Sequence, residues 1–226
     1  MTAHTQHDLY ANERASLIDE LRTLTPEQAA AVVPSCPAWT VKDVVSHMSG
    51  LVAEKLADVP PPLGSDESTS RQVADRAAMT LAEVVNEWER NAPAFRDIAT
   101  DDSPFIAAFL SDLVVHAHDI REGLGLPIDE RSPAMMFAAE RYLELLLDRA
   151  ADDHDTALTV ELTGVGIRAA ATGSRSLELR AAPFDFLRAV TARRSREAVE
   201  SLDWTGDPSD LLNSGFVQYG TLEEES

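Results

Sequence analysis

The sequence predicts an α+β protein in which a helical bundle precedes a small mixed domain. Over roughly the first 150 residues, apolar side chains recur at the three- and four-residue spacing of amphipathic helices, and no strand pattern intervenes. After Asp155 the pattern changes to short alternating segments that are typical of strands. These observations predict a helical domain over residues 1–153 and a small α+β domain over residues 154–226.

Amphipathic helices account for most of the first domain. Thr40 is a good N-cap for the second helix, and Ser103 followed by Pro104 is a good start for the fourth. Pro93 is expected to end or kink the third helix, because proline lacks the N–H that a helix interior needs. The predicted helices cover Asp8 to Leu24, Thr40 to about Asp58, about Arg71 to Asn91, Ser103 to Gly123, and Ser132 to near residue 155.

Loops and strands complete the predicted architecture. Two proline-containing segments, Val33 to Ala38 and Val59 to Ser70, are predicted to be loops. In the second domain three strands are expected to form a short meander, which a helix from Pro183 to Arg194 and a short final helix follow. The three strands are Thr156 to Thr163, Val165 to Thr172 and Ser176 to Ala181.

Composition and charge narrow the range of functions. A net charge of -20 argues against binding to nucleic acid or to an anionic membrane, because either partner requires a basic surface. The single cysteine, Cys36, excludes an internal disulfide and a zinc site made of cysteines alone, so a metal would need histidine and carboxylate ligands. The sequence contains no apolar run of about 18 residues and no secretory h-region. We therefore expect a cytoplasmic protein, monomeric or weakly dimeric, that acts on small molecules.

The helix predicted from Ser103 to Gly123 carries the candidate chemistry. Asp112 and His116 are four residues apart and lie side by side at the edge of its apolar stripe, and His47 occupies a similar margin on the second helix. A carboxylate and an imidazole in this arrangement can share a metal ion or a proton. The spacing also suits a histidine that is hydrogen-bonded in the core and an Asp/His pair that only stabilises the helix. Both interpretations stay open at this level.

Three segments resemble a known family. The sequence CPAWTVKDVVSHMSG, Cys36 to Gly50, is similar to the C-P-x-W-[ST]-V-x-D-[LV]-x-x-H-[LM] pattern of the mycothiol-dependent maleylpyruvate isomerase family, which is part of the DinB-like superfamily. Asp112 to Ile120 resembles the E-x-x-V-H-x-x-D-[IL] pattern of the same family. Leu187 to Ser195, followed by Thr205 to Asp207, is similar to its C-terminal G-R-R-S and G-D motifs.

The resemblance implies a DinB-like up-and-down four-helix bundle with a divalent metal, Zn²⁺ or another ion, held by His47, Asp112 and His116. Three protein ligands and one open position are typical of catalytic zinc. It also implies mycothiol as cofactor or co-substrate, in a cis-trans isomerase of the maleylpyruvate type or in a thiol S-transferase that acts on a small electrophile. Trp39 is expected either to pack its loop against the bundle or to stack on the cofactor.

This sequence departs from the family pattern at two positions. Asp112 stands where the pattern has glutamate, and its shorter side chain could change the affinity or the identity of the metal. This exchange also motivates an alternative, a non-catalytic metal- or ligand-binding or regulatory protein with a degenerate site.

Ala192 replaces the glycine that precedes Arg193 and Arg194, which are candidate catalytic residues because a guanidinium pairs well with a substrate carboxylate. A structural or solvated role for these two arginines stays open.

The roles of two further residues of the predicted Ser103 to Gly123 helix can also be predicted. Asp119 is expected either to orient a ligand histidine without binding the metal itself or to pair with Arg121 or solvent. His118 points away from the stripe and is expected to be exposed.

Overall fold

The computed structural model describes residues 5–59, 64–152, 155–164, 166–169 and 173–222. The chain divides into two compact units, Met1–Ile128 and Asp129–Ser226. The described residues are mostly helical and include two small sheets, so the predicted α+β class is confirmed. No helix within the described ranges is long and apolar enough to cross a membrane.

The first unit is built around four long helices, α1 (Gln6–Leu21), α3 (Val41–Leu56), α5 (Leu81–Ile98) and α6 (Ile106–Leu124). Helix α3 packs against α5 and α6, and α1 packs against the same two helices, which gives the bundle that the sequence predicts. Fully buried side chains from all four helices, among them Leu17, Val44, Trp88 and Leu110, fill the space between them. The elements are α1 (Gln6–Leu21), α2 (Pro26–Ala29), β1 (Val32–Val33), β2 (Cys36–Thr40), α3 (Val41–Leu56), α4 (Asp66–Ala74), α5 (Leu81–Ile98) and α6 (Ile106–Leu124).

The predicted helix from Arg71 to Asn91 is wrong, because two helices share this segment. Helix α4 ends at Ala74, and α5 begins at Leu81 because the Thr80 side chain forms a capping box with Glu83. Helix α5 then continues through Pro93 to Ile98. The predicted loop from Val59 to Ser70 is also wrong from residue 66 onward, where α4 begins, and residues 60–63 lie outside the described residues.

The start of α6 differs from the predicted cap. Helix α6 begins at Ile106, and the Ser103 hydroxyl donates to the Ile98 carbonyl at 2.7 Å and accepts from the Thr100 N–H at 3.1 Å. Ser103 therefore stabilises the turn between α5 and α6 and does not cap α6. The predicted glycine stop is correct, since Gly125 takes the left-handed conformation, with φ of 64°, that ends the helix.

A two-stranded hairpin replaces the predicted loop from Val33 to Ala38. Strands β1 and β2 pair antiparallel, with Val32 opposite Thr40. Thr40 then caps α3, as predicted, and its side chain accepts from the Asp43 N–H. Strand β2 consequently leads directly into α3 and fixes the position of Trp39.

The second unit combines helices with a four-stranded sheet. The elements are α7 (Pro133–Asp152), β3 (Thr156–Leu162), β4 (Gly166–Ala169), β5 (Arg175–Ala181), α8 (Pro183–Val190), α9 (Arg196–Glu200), β6 (Asp203–Thr205) and α10 (Ser209–Ser214). The strand order is β4-β3-β5-β6, in which β3 and β5 are parallel and the other pairs are antiparallel.

The predicted meander is wrong, because β3 lies between β4 and β5. The chain crosses the start of β3 at Gly173, where φ is 143° and a Cβ atom would lie 2.1 Å from the Ala157 nitrogen. Only glycine permits this approach. The predicted helix from Pro183 to Arg194 ends early, at Val190, because Ala192 takes a φ of 60°.

Helix α7 belongs to the second unit. It packs against α8 and β3, so the division of the chain falls between Ile128 and Asp129. The predicted boundary between residues 153 and 154 differs from this division. The amphipathic pattern of α7 resembles that of the bundle helices and does not indicate which core it covers.

Candidate metal site

Three polar side chains meet between α3 and α6. His47 comes from α3, and Asp112 and His116 are one turn apart on α6. The His47 Nε2 lies 3.4 Å from the Asp112 Oδ2, and the His116 Nε2 lies 3.6 Å from the Asp112 Oδ1. One ligand atom from each of the three residues lies within 4.8 Å of the other two. The structure thus brings together the predicted metal ligands, and their binding of a metal stays a prediction.

The imidazole–carboxylate separations are short enough for a shared metal ion. Two ligand atoms that are each about 2.1 Å from a tetrahedral ion are about 3.4 Å apart. The His47 and His116 distances, 3.4 and 3.6 Å, run to different oxygens of Asp112, so each imidazole separately lies at about this distance from the carboxylate. Asp112 therefore reaches the two imidazoles despite its short side chain, because α6 and α3 are in direct contact.

The exposure of the three side chains is uneven. The side chains of His47 and His116 are 4% and 9% exposed, whereas that of Asp112 is 34% exposed. The open side of the cluster is thus the side of the carboxylate. Catalytic zinc sites keep one position for water or substrate, and the 34% exposed side chain of Asp112 offers such access.

The outer nitrogen of His116 contacts a second carboxylate. The His116 Nδ1 lies 3.1 Å from the Asp119 Oδ2, and the Cys36 Sγ lies 3.6 Å from the same oxygen. Asp119 is fully buried, and Arg121 pairs instead with Glu13 and Glu20. A carboxylate at Nδ1 favours the tautomer whose Nε2 lone pair is free for a metal. Of the two predicted partners of Asp119, the histidine is the observed one.

The outer nitrogen of His47 contacts an amide. The His47 Nδ1 lies 2.7 Å from the Gln72 Oε1. Burial lowers the pKa of His47, but the Asp112 carboxylate and the hydrogen bond to Gln72 outweigh this effect, so the pKa is raised. The contact of Gln72 with His47 was not predicted from the sequence. Gln72 is distant from His47 in the sequence, and it lies on α4, a helix whose start falls in a predicted loop.

Trp39 covers the two histidines. Its ring centroid lies 5.4 Å from that of His47 and 6.3 Å from that of His116. The side chain is half-buried. Trp39 therefore packs β2 against the bundle at the site, and stacking on a cofactor stays a prediction.

The remaining predicted residues belong to the second unit or differ from expectation. Arg193 and Arg194 follow α8 in the second unit, where the Arg193 Nη1 donates to the Thr191 carbonyl at 2.6 Å. The Arg194 guanidinium lies 5.9 Å from the centroid of the Phe184 ring. A catalytic role for either arginine stays a prediction.

The predicted exposure of His118 is wrong, because this residue is only 2% exposed. The prediction assumed that one face of α6 meets solvent. From Leu113 to Arg121, however, every residue of α6 is buried, so this part of the helix has no exposed face.

The fold and the cluster define a helical-bundle protein with a candidate site for a divalent metal. Residues 10–121 match the family model described as the mycothiol maleylpyruvate isomerase N-terminal domain, and this part of the chain belongs to that family. No curated protein matches the chain significantly.

Two solved structures are similar to the chain. One is the crystal structure of the mycothiol-dependent maleylpyruvate isomerase, with a TM-score of 0.58 and 11% identity. The other is a histidine-to-alanine mutant of that isomerase, with a TM-score of 0.60 and 10% identity. Each comparison covers 83% of this chain and 88% of the other chain. At this level of identity the likeness concerns the fold.

Proposed function

We propose that the chain is a divalent-metal enzyme that uses mycothiol, either as a cis-trans isomerase of the maleylpyruvate type or as a thiol S-transferase. The observation that carries the proposal is the convergence of His47, Asp112 and His116 at ligand spacing, with the open side at the carboxylate. Membership of the N-terminal segment in the mycothiol maleylpyruvate isomerase domain family supports the choice of thiol.

The donor set suits Zn²⁺ or a similar ion, because two imidazoles and one carboxylate are ligands typical of catalytic zinc. When bound, the metal would favour the thiolate form of the thiol, which would add to a cis double bond conjugated to carbonyls. After rotation about the resulting single bond, cleavage of the same C–S bond would release the thiolate and give the trans isomer. In the S-transferase alternative the same thiolate would displace a leaving group from a small electrophile.

The protein's own residues have separate roles in this proposal. Asp119 and Gln72 hold the two imidazoles through their Nδ1 atoms. Trp39 excludes water from one side of the histidines. Arg193 or Arg194 would pair with a carboxylate of the substrate, a role that rests on the sequence motif.

Metal content and thiol binding test the proposal. Untagged protein is incubated with Zn²⁺, dialysed, analysed for metal, and titrated calorimetrically with mycothiol. We expect about one zinc per chain, thiol binding only in the zinc-loaded form, and loss of both in His47→Ala. His7→Gln is the matched control, since the His7 Nδ1 contacts the Ala99 carbonyl outside the cluster.

Three outcomes separate the alternatives. A wild-type protein that stays metal-free would overturn the metal-enzyme proposal. Zinc binding without any thiol-dependent heat would favour the degenerate, non-catalytic alternative. If the thiol binds, an absorbance assay with maleylpyruvate and a conjugation assay with a model electrophile distinguish the isomerase from the S-transferase.

A further inference from the structure

The two ring nitrogens of His47 face different partners. Nδ1 lies 2.7 Å from the Gln72 Oε1, and Nε2 lies 3.4 Å from the Asp112 Oδ2. A neutral imidazole carries a proton on one nitrogen only. Which nitrogen carries it decides whether Nε2 offers a lone pair to a metal, so the orientation of the Gln72 amide is decisive.

Glu54 fixes the orientation of that amide. The Gln72 Nε2 lies 2.6 Å from the Glu54 Oε2 and 2.9 Å from the Ser68 Oγ. A carboxylate only accepts hydrogen bonds, so the amide NH₂ must face Glu54, because a flipped amide would place its oxygen against the carboxylate. The amide oxygen then faces His47, and since it only accepts, the His47 Nδ1 must donate.

Glu54 is itself held in place. The Ser68 Oγ donates to the Glu54 Oε2 at 2.9 Å, and the Arg71 Nε donates to the Glu54 Oε1 at 2.8 Å. The Gln72 side chain is fully buried, so water does not compete for its amide. The carboxylate, the amide and the imidazole therefore form one chain of hydrogen bonds with a single direction.

The backbone brings α4 close enough to α3 for this contact. A Cβ atom on Gly50, one turn from His47 on α3, would lie 2.6 Å from the Gln72 Cβ. Arg76 donates to the Gln72 carbonyl at 3.0 Å and pairs with Glu87 at 2.6 Å, which ties α4 to α5. The approach of α4 thus depends on a glycine and on a partly buried ion pair.

We propose that Glu54 and Gln72 are positioning residues that hold His47 in the Nδ1-protonated tautomer and so direct its Nε2 lone pair toward the metal position. The link to a metal rests on the proposed function, whereas the tautomer is a property of the protein without metal. The competing acceptor at Nε2 is the Asp112 carboxylate, which is more distant at 3.4 Å than the amide oxygen at 2.7 Å.

The tautomer is measured by ¹⁵N NMR on metal-free protein labelled at histidine, at a pH where His47 is neutral. We expect Nδ1–H in the wild type. In Gln72→Leu the acceptor at Nδ1 is removed and the Asp112 carboxylate remains, so the proton should move to Nε2. Persistence of the Nδ1–H tautomer in Gln72→Leu overturns the proposal.

A swapped pair tests the same contact without removing it. In Glu54→Gln combined with Gln72→Glu, the carboxylate would face His47 and the amide would donate to it. We expect this double variant to keep Nδ1–H, and the Nε2–H tautomer in it would contradict the proposal. The swapped pair keeps the test decisive if Gln72→Leu fails to fold.

Zinc affinity is the second readout, measured by competition with a chromophoric chelator. Loss of an outer-shell partner typically costs about 10- to 100-fold in affinity, and we expect this loss in Gln72→Leu and recovery in the swapped pair. Glu13→Gln is the control, since the side chains of Glu13 and Glu54 are 11% and 12% exposed and both pair with an arginine. We expect wild-type affinity in Glu13→Gln.

The two proposals fail in different ways. If the wild type binds no zinc but the tautomer responds as expected, the proposed function fails and the positioning role stands. If the wild type binds zinc and Gln72→Leu keeps both its affinity and the Nδ1–H tautomer, the positioning role fails and the proposed function stands.

Discussion

The contribution of Asp112 to metal binding can be predicted from the geometry of the cluster. Asp112→Asn keeps the shape of the side chain and removes its charge. Structural zinc sites with four ligands bind with about 10–16 kcal/mol, or about 2.5–4 kcal/mol per ligand. Because Asp112 lies at ligand distance from both imidazoles, its neutralisation should weaken zinc binding by roughly 10²-fold or more.

The assay is zinc competition with a chromophoric chelator, together with thermal unfolding in the presence and absence of zinc. A 10²-fold weaker affinity corresponds to a loss of about 2.7 kcal/mol of zinc-dependent stabilisation at saturating metal. Asp112→Glu should bind zinc within about tenfold of the wild type, because it keeps the carboxylate and the 34% exposed side chain leaves space for one methylene. Asp102→Asn, at an exposed aspartate, is the control.

One result would refute the assignment of Asp112 as a ligand. If Asp112→Asn binds zinc within about threefold of the wild type while the folded state is intact, the carboxylate makes no direct bond to the metal. The two histidines would then require a different third partner.

Three further predictions concern the stability of the fold. Ala192→Gly should raise the free energy of unfolding, measured in urea, by about 0.5–1 kcal/mol, because the relief of backbone strain at a φ of 60° exceeds the entropy that glycine adds to the unfolded chain. A lower stability would contradict the strain argument. Gly50→Ala should lower the free energy of unfolding despite the better helix propensity of alanine, because the new Cβ would lie 2.6 Å from the Gln72 Cβ. A more stable variant would show that α4 can move away freely. Burial raises the pKa of Glu54, but hydrogen bonds from neighbouring side chains outweigh this effect, so the pKa is lowered. The stability that Glu54 contributes is therefore present at pH values above its usual pKa of 4.5, and it is lost as the pH falls through the pKa of the folded state. The difference in unfolding free energy between the wild type and Glu54→Gln should therefore shrink below pH 4.5, and a difference that grows there would contradict this sign.

Local patterns predicted the parts of this fold that depend on neighbours in the sequence. The cap of α3 by Thr40 and the glycine stop of α6 involve residues within one turn of each other. The pairing of Asp112 with His116 is a consequence of helical periodicity alone. The sequence alone did not choose between a metal ligand and a core histidine for His47, and the family resemblance supplied that choice.

Packing decided what the local patterns left open. The burial of His118 depends on what covers α6. The place of β3 between β4 and β5 depends on the crossing of the chain at Gly173. A hydrophobic stripe indicates that a helix has a buried face, and it does not indicate whether the other face is covered as well.

The sequence by itself determined a helical bundle with an acidic surface, the Asp112–His116 pair and the identity of the family. Only the tertiary structure decided that His47 lies 3.4 Å from Asp112 and that Gln72 holds His47 from α4. The physical reason is the range of the interactions. Helix caps and i,i+4 pairs are fixed by backbone geometry within a few residues, whereas a site shared by three helices depends on how their cores pack.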